Sequence, residues 1–189
     1  MLRPAPFYYL RHGETDWNRE RRAQGQQDVP LNETGLAQAR TARDLLRGVE
    51  IAAICTSPLK RAYDTACIVN ETLNAPLMVI DDLKECGFGS HEGDIDTGWY
   101  GQWRRGEFCP DGAETYDAFM ARALRGVNAA LDRPGPVLIV AHAGVYWSIQ
   151  EHGLLERMRI PNGVPLRHSP PTAELPGWTA SLMESNRAV

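Results

Sequence analysis

Four short apolar runs divide the chain, and a charged or imidazole side chain follows each of them closely. The runs cover residues 7–10, 51–56, 77–80 and 137–141. Stretches in which apolar residues recur at helical spacing separate these runs, and this alternation favours parallel strands joined by helices. The sequence therefore predicts an α/β fold, namely a three-layer α/β/α sandwich with a largely parallel central sheet.

The same spacing places the helices and the last strand. Helices are predicted over residues 34–47, 113–131 and 145–155, and a last strand, in an edge hairpin, over 178–183. Asn32 is the expected N-cap of the first of these helices. Pro58 is expected in the first turn of another helix, which then carries Arg61 near its N-terminus. Free backbone N–H groups and the helix dipole favour anions at such an end.

The segment RHGETDWN, residues 11–18, stands directly behind the first apolar run. Gly13 lets the chain turn sharply as it leaves the strand. Ligands of open α/β sheets bind beyond the carboxyl ends of the strands, so Arg11 and His12 should lie where ligand chemistry is done. Similar side chains follow the other predicted strands: Arg61, Glu85 and His142. This repeated placement favours one ligand site at that edge of the sheet.

These segments together resemble the histidine phosphatase superfamily, the group that contains the cofactor-dependent phosphoglycerate mutases. Residues 11–18 match the pattern RHGxTxxN completely, and three further blocks follow in the family's order. They are SPLKRAYDTA at 57–66, LKECGFGSHEG at 83–93 and LIVAHAG at 138–144. The resemblance extends over nearly the whole chain, from residue 7 to about residue 182.

The resemblance implies a reaction through a phosphohistidine and assigns the five residues their roles. His12 would attack phosphorus through one ring nitrogen, while a backbone carbonyl holds the other. Arg11, Arg61 and His142 would surround the equatorial oxygens of the phosphoryl group. Glu85 would protonate the leaving oxygen and then deprotonate the attacking water, a role for which a partly buried carboxyl is expected.

The resemblance also implies which further residues bind phosphate or substrate. Asn18 would add a neutral donor, and Gln24, Gly25 and Ala143 would line the phosphate site. Ala143 stands where a glycine is usual in the family, which would narrow the floor of the pocket. Arg104 and Arg105, in the segment QWRRG, resemble the paired arginines with which mutases hold the substrate carboxylate.

Two activities remain open under this resemblance, and a phosphohydrolase of small phosphorylated metabolites is favoured. The segment QGQQDVPLNETG resembles the phosphatase type, since mutases usually carry Gly-Trp where this chain has Gln26-Gln27. QWRRG and IPNGVPL, residues 160–166, instead resemble mutases. Residues 94–112, which we expect to form a lid over the site, are fewer than the lid residues of a typical mutase. A mutase would need 2,3-bisphosphoglycerate, whereas a phosphatase of this type needs no cofactor.

A third reading is a binding protein for phosphorylated ligands without catalysis. Such a protein should have lost the nucleophile or an arginine, and this chain retains them. A metal site is also unfavourable, because the chain has no HxH or HxxxH pair and two arginines would repel a cation. We therefore expect an enzyme that uses no metal.

Residues 94–112 are rich in glycine and tryptophan and predict a lid-like insertion over the site rather than part of the core. This segment would choose the substrate. His91 stands where many relatives carry an aromatic residue and is interpreted as a lid residue without a catalytic role. Cys86 adjoins Glu85 and could make the site sensitive to oxidation.

Composition limits the remaining possibilities. A chain of 189 residues with 43% hydrophobic content suits one globular domain, here residues 1–189. The net charge is −4, and no basic stretch is long enough to follow a nucleic acid, so the expected partner is a small phosphorylated substrate. The absence of a signal peptide and of an apolar span predicts a cytoplasmic protein that does not bind membranes.

The four cysteines stand apart and are expected to be reduced. The sequence leaves monomer and homodimer open.

Overall fold

The protein is described by a computed structural model over residues 1–95 and 97–183. Its centre is one six-stranded sheet in the order β3-β2-β4-β1-β5-β6. The strands are β1 Phe7–Arg11, β2 Ala53–Thr56, β3 Leu77–Val79, β4 Val137–Ala141, β5 Pro165–Ser169 and β6 Thr179–Leu182. Strands β1 to β4 pair with one another in parallel, while β5 is antiparallel to β1 and β6 is antiparallel to β5. The sheet is therefore largely parallel, with an antiparallel hairpin at one edge.

Six α-helices accompany the sheet in the described part of the chain. They are α1 Asp16–Arg19, α2 Glu33–Leu45, α3 Lys60–Leu73, α4 Tyr100–Arg104, α5 Tyr116–Leu131 and α6 Ala143–His152. Asn32 caps α2, since its side chain accepts the N–H of Gly35. In the described residues, no helix is long and apolar enough to cross a membrane.

Helices cover both faces of the sheet. Successive strand residues point to opposite faces, and they accordingly enter two different hydrophobic clusters. Ile139 of β4 packs with the cluster that contains side chains of α5 and α6. Leu138, its neighbour, packs instead with Ala42 of α2 and Val69 of α3. Both faces of β4 are thus fully buried, and the predicted α/β sandwich of three layers is confirmed.

The predicted elements are all present, although several ends differ. The edge hairpin is confirmed, because β6 pairs with β5 over residues 179–182. The placement of Pro58 in the first turn of α3 is wrong. The N-cap is Leu59, whose backbone is extended, and the helix begins at Lys60. The hydroxyl of Ser57 accepts the N–H of Leu59 at 3.3 Å, so a side-chain turn occupies the position where the helix was expected to begin.

The segment 94–112 departs from its prediction at Trp103. This indole is completely buried within the larger hydrophobic cluster, and its Nε1–H donates to the carbonyl of Glu114 at 2.8 Å. The prediction that this segment stays out of the core is therefore wrong at Trp103. Tyr100 and Arg104, on the same short helix α4, line cavities at the mouth of the site described below. Residue 96 of this segment lies outside the described residues.

Candidate active site

The strand ends bring the five predicted residues together. Arg11, His12, Arg61 and Glu85 line one cavity of about 120 Å³. His142 lies next to them, with its ring centroid 5.2 Å from that of His12. Because β1, β2 and β4 are parallel, residues that follow their carboxyl ends meet at the same edge of the sheet. Groups far apart in the sequence thus surround a space of the size of a phosphate group.

His12 is held in one orientation at the end of β1. Its side chain is buried, and Nδ1 lies 2.7 Å from the carbonyl oxygen of Gly13. A carbonyl only accepts hydrogen bonds, so Nδ1 carries the hydrogen and Nε2 keeps its lone pair. Burial first, and then the charges of Arg61 and Arg11, hold the pKa of His12 well below its ordinary value. The imidazole is therefore neutral and nucleophilic at neutral pH.

Arg61 is the most deeply buried cation of the site, with 1% of its surface exposed. Its Nη1 and Nη2 donate to the carbonyls of Gln27 and Gly25, each at 2.8 Å. Burial lowers the pKa of Arg61 to about 10, so the guanidinium remains charged at pH 7. Its Nε has no hydrogen-bond partner among the described residues. The loop of residues 25–27 therefore fixes a guanidinium with donor capacity left for a ligand.

Arg11, the last residue of β1, forms the opposite wall of the cavity. Its Nη1 donates to the carbonyl of Ile160 at 3.1 Å. Burial lowers the pKa of Arg11, while the Glu85 carboxylate raises it and Arg159 lowers it further. Arg11 also lines the neighbouring cavities, so it stands between the His12 site and the surrounding surface.

His142 is fully buried and precedes α6 as its N-cap residue. Its Nε2 lies 2.8 Å from the hydroxyl of Ser57, and its carbonyl accepts the hydroxyl of Tyr9 at 2.6 Å. Its Nδ1 has no partner among the described residues. Burial, followed by the charge of Arg61, lowers the pKa of His142 well below its ordinary value, so this ring is neutral.

Glu85 is partly buried, as expected, and its carboxylate is anchored at both oxygens. Oε1 accepts the N–H of Cys86 at 3.0 Å, and Oε2 accepts the N–H of Gly144 at 3.1 Å. A Cβ on Gly144 would overlap Oε1 of Glu85, which explains the need for glycine at that position. The carbonyl of Glu85 accepts hydrogen bonds from Arg122 and Gln26, each at 3.1 Å. Backbone and side chain of the predicted acid–base residue are thus both fixed.

The predicted phosphate-binding residues also reach the cavity. Asn18, Gln24, Gly25 and Ala143 all line it. Oδ1 of Asn18 accepts the N–H of Thr15 at 3.2 Å, so its amide nitrogen is the group left to donate to a ligand. Gly25 has φ +54, a left-handed conformation that favours glycine, and its carbonyl holds the buried guanidinium described above.

The predicted pair Arg104 and Arg105 have different interaction partners in the structure. Arg104 lies over the rings of Tyr116 and Trp147, with 5.6 and 5.4 Å from Cζ to the ring centroids. Arg105 is exposed and forms an ion pair with Glu107 at 2.8 Å. Neither arginine lines the His12 cavity, and both line another cavity together with Arg157, so their role in holding a substrate carboxylate stays a prediction. Arg104 is the last residue of α4, and Arg105 follows it as the C-cap residue.

His91 and Cys86 lie in environments that differ from those of the five predicted catalytic residues. Nδ1 of His91 hydrogen-bonds the carboxylate of Asp94, and its ring packs at 5.0 Å from Trp99. Cys86 is buried, and burial raises the pKa of its thiol. A buried protonated thiol reacts slowly with oxidants, so the structure gives no support for the oxidation-sensitive site considered from the sequence.

The sequence interpretation assigned no role to four residues that belong to this site. Arg22, Tyr100 and Trp147 line the cavity. Nδ2 of Asn162 donates to the carbonyl of His12 at 2.8 Å. Asn162 lies in the segment IPNGVPL, which carried the signal of a mutase-like loop without a stated role. Nothing in the sequence distinguished Tyr100 and Trp147 from other aromatic residues.

Within residues 1–95 and 97–183, no group of three or more His, Cys, Asp or Glu side chains is arranged to hold a metal ion. The charged groups that face the cavity are the guanidinium groups of Arg11, Arg22 and Arg61 and the carboxylate of Glu85. This arrangement suits a tetrahedral oxyanion approached by a neutral imidazole, with a carboxyl group near enough to exchange protons.

Comparison with known proteins identifies relatives of the same kind. The model of the histidine phosphatase superfamily (branch 1) matches residues 7–168. The uncharacterized phosphatase PhoE of Bacillus subtilis is 49% identical over 84 residues, which are 44% of this chain and 44% of that protein. The alignment with this relative thus spans less than half of its length. A 2,3-bisphosphoglycerate-dependent phosphoglycerate mutase of Gloeobacter violaceus is 36% identical over 156 residues, 74% of this chain and 71% of the mutase.

A solved structure agrees over almost the whole length. The mycobacterial glucosyl-3-phosphoglycerate phosphatase, in its complex with VO3, superimposes with a TM-score of 0.74 at 27% identity. The match covers 97% of this chain and 99% of that one. The fold is thus shared with a phosphatase, and the sequence is similar to a phosphatase and to a mutase.

Proposed function

The chain belongs to the histidine phosphatase superfamily, and we propose that it is a metal-independent phosphohydrolase of small phosphorylated metabolites. The reaction passes through a phosphohistidine on His12. The single observation that carries this proposal is the fixed tautomer of that residue: Nδ1 is held by the Gly13 carbonyl at 2.7 Å, so Nε2 is the nucleophilic atom.

The first step transfers the phosphoryl group to His12. The lone pair of Nε2 forms a bond to phosphorus while the ester P–O bond breaks and its electron pair remains on the leaving oxygen. Glu85 gives its proton to that oxygen, and the alcohol departs. The guanidinium groups of Arg11 and Arg61 and the Nδ1–H of His142 stabilise the charge on the equatorial oxygens.

The second step releases phosphate. Glu85, now a carboxylate, takes a proton from water as the water oxygen attacks phosphorus. The P–N bond breaks and its electron pair returns to Nε2. The products are inorganic phosphate and a neutral imidazole, and Glu85 again carries a proton, so the cycle closes without a cofactor.

Phosphoglycerate mutase activity is the second candidate, and the 36% identity to a mutase is the observation that favours it. A mutase returns the phosphoryl group to the bound organic acid rather than to water. The ion pair of Arg105 with Glu107 weighs against it, because one of the two expected arginines is already engaged by a carboxylate of the chain itself. Binding of a phosphorylated ligand without turnover is the third outcome that the following experiment distinguishes.

The test is a phosphate-release assay on a panel of phosphorylated metabolites and p-nitrophenyl phosphate, with EDTA and with or without 2,3-bisphosphoglycerate. We expect phosphate release at a rate that neither EDTA nor 2,3-bisphosphoglycerate changes. We also expect an acid-labile phosphoenzyme. The variant His12→Asn should lose more than about 10³-fold in kcat. His152→Asn, at the end of α6, is the matched control and should retain activity. Interconversion of 2- and 3-phosphoglycerate that requires bisphosphoglycerate would indicate the mutase, and binding without a phosphoenzyme would indicate the binding protein.

A further inference from the structure

The loop that precedes β5 lies against the carboxyl end of β1 and is hydrogen-bonded to the residues there. The carbonyl of Ile160 accepts Nη1 of Arg11 at 3.1 Å. The N–H of Gly163 donates to the carbonyl of Arg11 at 3.0 Å. Between them in the sequence, Nδ2 of Asn162 donates to the carbonyl of His12 at 2.8 Å. The loop before β5 therefore holds the backbone of the nucleophile and of the arginine beside it.

The side chain of Asn162 also reaches Asn18, which lines the His12 cavity. Nδ2 of Asn162 lies 3.3 Å from Oδ1 of Asn18. The same oxygen accepts the backbone N–H of Thr15 at 3.2 Å. Because an amide nitrogen carries two hydrogens, Asn162 can serve the His12 carbonyl and Oδ1 of Asn18 together. One side chain thus links the backbone of the nucleophile to a predicted ligand of the phosphate.

Backbone groups determine the orientation of both amides. A peptide N–H only donates, so the atom of Asn18 that faces the N–H of Thr15 is the oxygen. A peptide carbonyl only accepts, so the atom of Asn162 that faces the carbonyl of His12 is the nitrogen. Two donors then occupy Oδ1 of Asn18, and its Nδ2 is the group left for an anion in the cavity. The reversed amide would present an oxygen to that anion instead.

The two partners in this contact differ in how firmly they are held. Asn18 lies on α1, a single helical turn without a buried residue, and so short a helix is not stable by itself. The loop before β5 packs closely on α2, since a Cβ on Gly163 would come within 2.5 Å of Cβ of Gln38. Gly163 has φ +67, which also favours glycine at this position. The hydrogen bond from Asn162 therefore joins a short helix to a closely packed loop.

We propose that Asn162 is a positioning residue for phosphoryl transfer, which holds the amide nitrogen of Asn18 toward the phosphate and fixes the backbone that carries His12. This inference rests on the proposed function and adds a residue that acts through two others. Donors that already point at an oxyanion stabilise it better than donors that must first reorient. Without Asn162, only the N–H of Thr15 holds Oδ1 of Asn18, so the amide can turn and lose its donor.

A double-mutant cycle on Asn162 and Asn18 tests this role. The measured constants are kcat/KM for p-nitrophenyl phosphate and the calorimetric Kd of inorganic phosphate. In the wild-type background, Asn162→Ala should lower kcat/KM and raise the Kd, each by roughly tenfold. In Asn18→Ala, which has no amide to orient, the same change should raise the Kd by less than about threefold. A residue that only supports the loop would change the Kd equally in both backgrounds.

Asn128→Ala is the matched control and should leave both constants unchanged. Asn128 likewise bonds backbone groups, the N–H of Arg3 and the carbonyl of Met1, but it does not line the His12 cavity. Asn162→Leu keeps about the same side-chain volume and replaces the alanine variant in the cycle if that variant does not fold.

Two results would contradict different parts of this account. Equal changes of the Kd in the two backgrounds, or no change in either, would overturn the positioning role of Asn162. Phosphate binding that shows the expected coupling without any turnover of p-nitrophenyl phosphate would overturn the proposed function and leave the positioning of Asn18 supported.

Discussion

The hydroxyl of Ser57 lies 2.8 Å from Nε2 of His142, at the point where β2 and β4 end side by side. Ser57 Oγ also accepts the N–H of Leu59 at 3.3 Å, so its own hydrogen is available to His142. We infer that Nε2 accepts this hydrogen, which places the ring hydrogen on Nδ1. Since Nδ1 has no partner in the described structure, we expect it to be the donor to a phosphate oxygen.

Ser57→Ala should therefore impair catalysis through the tautomer of His142. Without the hydroxyl, either ring nitrogen can carry the hydrogen, and the donor to the phosphoryl group is partly lost. We expect kcat to fall by about ten- to a hundredfold, with a smaller change in KM. Steady-state kinetics on p-nitrophenyl phosphate measure both constants.

A purely structural role of Ser57 would give a different result. Ser57→Thr keeps the hydroxyl and should recover much of kcat, whereas Ser90→Ala, at an exposed position, should behave as the wild type. Equal losses in the alanine and threonine variants, accompanied by a lower Tm, would indicate a packing defect and contradict the tautomer argument.

Arg122 fixes the backbone on which Glu85 stands. Its Nη1 donates to the carbonyls of Asp82 and Lys84, and its Nη2 reaches the carbonyl of Glu85. The same guanidinium pairs with Glu114 at 2.6 Å, and both side chains are largely buried. Arg122→Met removes these bonds and leaves Glu114 unpaired, so unfolding should become easier by about 2 to 4 kcal/mol. Urea unfolding measures this free energy.

The double variant Arg122→Met/Glu114→Leu separates stability from positioning. Removing both charges together should restore much of the free energy of unfolding, because no unpaired charge remains buried. It should not restore kcat, since the carbonyl of Glu85 still lacks its donor. Recovery of kcat along with stability would show that Arg122 does not position Glu85.

Much of the fold could be predicted because its signals are local. The four apolar runs correspond to β1–β4. The signal is plainest for β2 and β4, which are buried at every residue, because a strand buried on both faces must be apolar throughout its length. The convergence of the five motif residues could be predicted because parallel strands end at the same edge of the sheet. Ser57, Asn162 and Arg122 were not assigned because their roles depend on hydrogen bonds to residues distant in the sequence.

The error at Trp103 in the lid segment has a physical origin. Trp103 and Arg105 lie in a glycine-rich stretch without clear apolar periodicity, so the sequence gives no direction for either side chain. The structure shows a single helical turn, α4, that inserts Trp103 between Phe88 and Tyr116 and leaves Arg105 in solvent. Only tertiary contacts determine which side chain of such a turn is buried.

Glu92 should influence phosphate binding without touching the phosphate. Its Oε1 accepts the backbone N–H of Gln26 at 2.7 Å, and its Oε2 accepts the side-chain amide of Gln27 at 2.8 Å. These residues belong to the loop whose carbonyls hold Arg61. Glu92→Ala should loosen that loop and raise the Ki of vanadate by roughly tenfold. Glu107→Ala, which removes an exposed carboxylate paired with Arg105, is the control; an unchanged Ki in Glu92→Ala would contradict this role.

The nucleophile should remain neutral in mildly acidic solution. Burial and the charges of Arg61 and Arg11 lower the pKa of His12, and burial likewise lowers the pKa of His142. Both rings should therefore take up a proton only well below pH 6.5. NMR titration of selectively labelled imidazole groups measures these midpoints. A midpoint of His12 at or above 6.5 would show that the arginines do not hold it in the neutral form.

A third buried histidine makes the stability of the fold depend on pH. His168 stacks on Phe7 at 4.3 Å between ring centroids, its Nε2 lies 3.0 Å from the hydroxyl of Tyr146, and burial lowers its pKa to about 4. Between pH 6.5 and about 4 the unfolded chain binds a proton at this residue that the folded chain does not. The free energy of unfolding therefore falls as the pH falls through this window, by about 1.4 kcal/mol per pH unit from this residue. His12 and His142 act in the same direction. In His168→Phe, which keeps the aromatic stack, urea unfolding at pH 7, 6 and 5 should show a shallower decline than in the wild type, and parallel declines would contradict the assignment.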